Sequence, residues 1–157
     1  MQKFRNRSIR IVSFAFADVK GSAKYPNING KVSFKQLRDG ILVTARIYGL
    51  PVSSDCDNIY GFHIHEGTSC TGNLEDLFAD SKMHYNKTEC NHPFHSGDMP
   101  PLFGNNGYAY MSFFTNRFEL CEVIGKVVII HNMADDLKTQ PSGNSGEKIA
   151  CGKIIAI

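Results

Sequence analysis

A chain of 157 residues is long enough to bury one hydrophobic core without staples, so a single domain over residues 1–157 is expected. Its 17 Lys and Arg against 15 Asp and Glu give a net charge of +2. The two signs are interspersed and no basic block is interleaved with aromatics, which excludes the usual footprint of a nucleic-acid binder. No apolar run approaches the roughly 20 residues that cross a bilayer as a helix, so no membrane partner is expected.

In chain order, the basic stretch KFRNRSIR followed by IVSFAFA has the outline of an export signal ending in Ala-x-Ala. The apolar run is too short for that role, and cleavage after Ala17 would remove a first strand. A leaderless cytoplasmic chain is therefore expected, with a secreted or periplasmic form left open. Strand-like runs then recur between turn signals: RIVSFAFADV, GKVSFKQL, ILVTARIYGL, IYGFHIHE, PLFGNNGYAYMSFF, VIGKVVIIH and KIACGKIIAI. Asp39-Gly40 and Asn106-Gly107 sit where hairpin turns belong. About eight strands and no helical period of useful length predict an all-β antiparallel sandwich or barrel. Two irregular segments, about 35 residues from Gly67 to Pro101 and about 16 from Asn132 to Glu147, exceed the roughly 12–15 residues usual for structureless loops. Something must hold them.

The histidines supply a candidate. His63 and His65 in GFHIHE stand two apart, and strand side chains alternate, so both imidazoles leave the same face. The longer irregular segment contains His84, His92, His95 and Asp98 in the form H-x7-H-x2-H-x2-D. Three neutral imidazoles and a carboxylate can close a tetrahedral zinc site and pin the loop at once. His131 ends the apolar run KVVIIH at the mouth of the second irregular segment; alone it reads as a core or cap histidine. The chain has five cysteines, an odd number, so at least one thiol is unpaired or bridges to another chain. A reducing compartment would leave all five free.

The motifs GFHIHE, HYN(x5)HPFHSGD, VVIIHNMADDL and GNSGEKIACG, in this order and spacing, resemble the copper/zinc superoxide dismutase family from about Arg10 to the C-terminus. All six histidines fall on ligand positions of that pattern. The resemblance implies an eight-stranded antiparallel Greek-key β-barrel, an immunoglobulin-like sandwich with two long functional loops. It implies copper on His63, His65, His84 and His131, and zinc on His84, His92, His95 and Asp98, with His84 bridging the two. Asp135 would hydrogen-bond the far nitrogens of His63 and His92, fixing ring orientation and tautomer. Cys70 and Cys151 match the family's intrasubunit disulfide. Cys56, Cys90 and Cys121 have no counterpart.

The implied reaction is dismutation of superoxide to dioxygen and hydrogen peroxide, with His84 taking up and returning a proton. Because the substrate is an anion, a guiding cation is expected, and Lys148 stands where the commonest form of the family has Arg. Charge is kept while the planar fork is lost. The segment from Asp135 to Gly143 is also shorter than the family's usual charged loop. The resemblance leaves a homodimer and a copper chaperone open as partners, since family members dimerise through different faces or stay monomeric. The competing reading is a metal-binding protein of this fold without turnover; its usual sign would be a missing copper ligand, and none is missing.

Overall fold

A computed structural model describes residues 12–54 and 58–157. The N-terminal basic stretch and Cys56 lie outside the described residues. Among the described residues nine strands follow in order: β1 (Phe14–Gly21), β2 (Asn29–Leu37), β3 (Gly40–Tyr48), β4 (Ile59–Tyr60), β5 (Phe62–His65), β6 (Leu102–Phe103), β7 (Ala109–Thr115), β8 (Val127–His131) and β9 (Lys148–Ala156). The sequence alternation is realised directly. In β3, Ile41, Val43, Ala45 and Ile47 are fully buried while Leu42, Thr44 and Arg46 are not, the period of two that a half-covered sheet demands. Among the described residues helix is limited to one turn, α1 (Leu120–Val123), and a 3₁₀ turn at Ala79–Ser81.

Seven strands form one sheet in the order β5-β8-β9-β1-β2-β3-β7, and β4 pairs with β6. Every pairing is antiparallel. The last strand, β9, lies between β8 and β1, a Greek-key exchange. The sheet curls because β4 runs into β5, β4 pairs with β6, and β6 lies along β7 at the opposite edge. The all-β Greek-key expectation therefore holds. The single strand expected over Ile59–Glu66 is divided at Gly61, whose N–H donates to the Met133 carbonyl (2.7 Å) and whose carbonyl accepts from the His131 N–H (2.8 Å).

The two hairpin signals act differently. Asn106 and Gly107 both have positive φ (51° and 81°), as a type I′ turn requires. At the other hairpin Leu37 pairs with Gly40, so Arg38 and Asp39 make the turn. Gly40 is a strand residue, and a Cβ there would sit 2.5 Å from the Thr115 carbonyl oxygen and 2.6 Å from the Phe114 ring. Close approach of β7 explains this glycine.

The main core is built around Phe34, Phe62, Ile64, Leu102, Leu120 and Ile130, all essentially inaccessible. Each contributes about 1.5–3 kcal/mol through burial. A second, smaller cluster joins Phe78, Val127, Ile129 and Cys151, with Cys70 against it. Here the Cys70–Cys151 disulfide, with Cα atoms 5.7 Å apart, ties the long loop to β9 across 81 residues of sequence. Replacing Cys70 by Ser is expected to cost about 4 kcal/mol, the chain entropy returned to the unfolded state. The check is a fall in the urea midpoint of unfolding relative to the oxidised parent.

Candidate metal centre

β5 carries the first two imidazoles. Phe62 and Ile64 enter the core, while His63 and His65, 0% and 2% exposed, leave the opposite face. One edge of β5 pairs with β8. Along its other edge the long loop runs back, so that His63 pairs with Asp98 and His65 with His84. The Ile64 N–H donates to the Gly97 carbonyl (2.9 Å), and the Tyr85 N–H donates to the Ile64 carbonyl (2.8 Å). The segment that looked structureless is thus held, at its two ligand-bearing ends, by strand-like pairing. His131 enters from the end of β8, where a register shift between Ile130 and His131 re-aims its ring.

These elements bring together two groups of buried side chains: His63, His65, His84 and His131, and His84, His92, His95 and Asp98. Within each group one ligand atom per residue lies within 4.8 Å of the others. His84 is common to both.

Hydrogen bonds decide which nitrogen each ring offers. His63 Nε2 and His92 Nε2 donate to the two oxygens of Asp135, at 2.7 and 2.9 Å. His65 Nδ1 donates to the Lys82 carbonyl (2.9 Å), and His131 Nδ1 to the Gly146 carbonyl (3.2 Å). The lone pairs are then on His63 Nδ1, His65 Nε2 and His131 Nε2, and on His92 Nδ1. His65 Nε2 and His131 Nε2 approach to 3.3 Å, acceptor facing acceptor. His63 Nδ1, His84 Nε2, His92 Nδ1 and His95 Nδ1 are buried with no hydrogen-bond partner among the described residues. Buried acceptors aimed at one another are costly unless a cation lies between them. The donor set therefore fits metal ions: imidazoles alone in one group, which suits copper, and three imidazoles with a carboxylate in the other, which suits zinc.

Electrostatics agree. Burial, reinforced by neighbouring imidazoles, holds His63 and His65 well below the ordinary 6.5. Burial likewise brings His131 down to about 4, and lowers His95 despite the opposing pull of Asp98. Burial alone would raise Asp98, but the hydrogen bond with His84 (2.7 Å) and the surrounding imidazoles outweigh it, so its carboxylate stays below the usual range. These shifts favour neutral rings at His63, His65, His95 and His131 and an ionised Asp98, the states that ligate. Asp98 Oδ2 also lies 3.1 Å from His92 Nδ1 and 3.4 Å from His95 Nδ1.

Several contributors escape sequence reasoning. Carbonyl oxygens of Lys82 and Gly146 set two tautomers, and backbone acceptors leave no trace in residue identity. Gln140 clasps His92 from the second loop: its Oε1 accepts from the His92 N–H (3.0 Å) and its Nε2 donates to the His92 carbonyl (2.7 Å). Gly143, at φ +68°, leaves no room above Asp135; a Cβ there would lie 2.0 Å from Asp135 Oδ1. Lys148 pairs across from His131, and its ammonium bonds Asp76 Oδ2 (2.7 Å) and the Phe78 carbonyl (3.3 Å). Cys90 and Cys121 are free, exposed and outside both groups.

Comparison with known proteins places these observations. A family model described as copper/zinc superoxide dismutase (SODC) matches residues 28–154. The chain is 30% identical to superoxide dismutase [Cu-Zn] 2 of Aquifex aeolicus, with 94% of each chain covered. It is 31% identical to superoxide dismutase [Cu-Zn] of Legionella pneumophila, over 94% of this chain and 90% of that one. An extracellular superoxide dismutase [Cu-Zn] of Mus musculus is 29% identical over 80% of this chain and 53% of its own length. Bacterial and extracellular relatives together leave the compartment undetermined, and no helix among the described residues is long and apolar enough to cross a membrane. With the family model matched over far more than half its length, this chain belongs to the copper/zinc superoxide dismutase family.

Proposed function

We propose that the chain dismutates superoxide at a metal pair bridged by His84, with copper held by His63, His65, His84 and His131 and zinc by His84, His92, His95 and Asp98. The observation that carries this reading is the double membership of His84, whose Nδ1 faces Asp98 while its buried Nε2 is left for the other group. Copper, when bound, supplies one-electron chemistry in both directions, and zinc supplies charge without redox activity.

The chain's own residues do the rest. His84 Nε2 has no competing hydrogen-bond partner among the described residues, so it can alternate between offering its lone pair and holding a proton. That proton is one of the two consumed when two superoxide ions become dioxygen and hydrogen peroxide. Asp135 holds one ring from each group in a single tautomer, and keeps their lone pairs aimed while His84 changes state. Lys148 supplies positive charge for an incoming anion, and its side chain, 16% exposed, is fixed where it reaches the surface. A homodimer, copper delivery by a chaperone and a cytoplasmic location belong to the same reading, tested by sedimentation, loading from chelated copper and cell fractionation.

Reconstituted protein is expected to contain one copper and one zinc per chain by elemental analysis, with dismutation that tracks copper content. Zinc alone, or both metals without turnover, would make it a metal-binding protein instead. Asp135→Ala should weaken metal retention about 10–100-fold, measured by chelator competition. Lys148→Glu should lower kcat/KM for superoxide and invert its dependence on ionic strength; an unchanged rate would remove Lys148 from the reading. In the metal-free chain, His63, His65 and His131 have folded pKa values below the unfolded value of 6.5. The unfolded state binds more protons below that value, so urea stability should be level above it and fall as pH drops from about 6.5 toward about 4.

A further inference from the structure

The geometry points to Asp76 as a positioning residue that fixes the ammonium of Lys148 at the approach to the His131 side of the site and masks part of its charge, thereby setting the affinity for the anionic substrate. This rests on the reading of Lys148 as the guiding cation.

A lysine is a point charge on a flexible stem and loses rotamer freedom when held. Here it is held by two acceptors on one short segment, Asp76 Oδ2 and the Phe78 carbonyl. That segment is rigid for local reasons. Asn73 Oδ1 accepts from the N–H groups of Glu75 and Asp76, and Asp76 Oδ1 accepts from the N–H of Phe78 (2.9 Å). Phe78 then packs on Val127, Ile129 and the Cys70–Cys151 pair. The carboxylate is thus built into the scaffold and does not drift to the lysine from solvent.

Its position has an electrostatic consequence. Lys148 stands across from His131 in the β8–β9 pairing, and Asp76 bonds its ammonium, so the ion pair is tied to the strand end that carries His131. An anion drawn toward Lys148 meets a carboxylate 2.7 Å from the ammonium. The pair attracts anions less than a free lysine would, while the lysine is aimed more narrowly. Charge is traded for placement, which offsets the lost planarity of an arginine.

The test uses the copper- and zinc-loaded protein with azide as a small monovalent anion, titrated optically, alongside kcat/KM for superoxide across ionic strength. Asp76→Asn leaves one oxygen to accept from the Phe78 N–H, and removes both the charge and the second acceptor that faces Lys148. It is expected to tighten azide about two- to fourfold, the effect of one unit charge roughly 5–10 Å away through water, and to steepen the loss of kcat/KM with salt. Asp76→Glu should stay within about twofold of the parent, as like charge is retained. In a Lys148→Met background the effect of Asp76→Asn should shrink, since only the direct field of the carboxylate remains. If Lys148→Met weakens azide but Asp76→Asn changes neither azide affinity nor salt slope, Asp76 is structural only and the inference fails alone. If Lys148→Met leaves azide binding unchanged, the guiding role of Lys148 fails and the inference falls with it. Formation of the Cys70–Cys151 bond reports folding, and Asp76→Ser replaces Asp76→Asn should the latter not fold.

Discussion

Everything around the site follows from bringing six imidazoles and a carboxylate into one buried volume with their lone pairs converging. Such an arrangement is unfavourable without cations, since buried acceptors facing acceptors forfeit hydrogen bonds and repel. The barrel tolerates it because most of the remaining ring nitrogens are engaged from outside. Asp135, the Lys82 carbonyl and the Gly146 carbonyl hold four of the six rings from behind. The two long loops are the means by which those outer partners reach the site.

The loops are consequently not decoration on the sheet. The first returns along the free edge of β5 and is tied to β9 by the disulfide. The second is tied to the first by Gln140 and by Asp135. Neither loop has a substantial apolar core of its own beyond the small cluster at Phe78. Their order comes from hydrogen bonds, one covalent link and the ligand sets they complete. Local opening of these segments, at lower cost than global unfolding, is the behaviour such an architecture implies.

Much of this was legible in the sequence because it rests on side-chain identity. Alternation in ILVTARIY identified β3 and its buried face, and His-x-His on one strand gave a pair of imidazoles on one side. The length of the segment from Gly67 to Pro101 signalled that something must hold it. What stayed hidden depends on backbone or on long-range approach. Gly40 reads as a turn residue, yet serves the passage of β7. Gln140 reads as an ordinary loop amide, and Asp76 as one acid among several in NLEDLFAD; each acquires its role from a partner 48 or 72 positions away. Spacing within a motif cannot report on such pairs.

Gly143 shows how tightly a surface loop can be bound by what lies beneath it. Its missing side chain is the space occupied by the Asp135 carboxylate, and the next nearest obstacle is His92 Nε2. Over the course of divergence, the exposed residues of this loop, such as Lys138 and Thr139, are free to drift in charge and size, because they touch solvent. Position 143 is closed to every residue with a Cβ. Descendants of this chain should therefore show a loop that varies along its outer rim around a fixed glycine, a signature of the buried carboxylate readable without any knowledge of the metals.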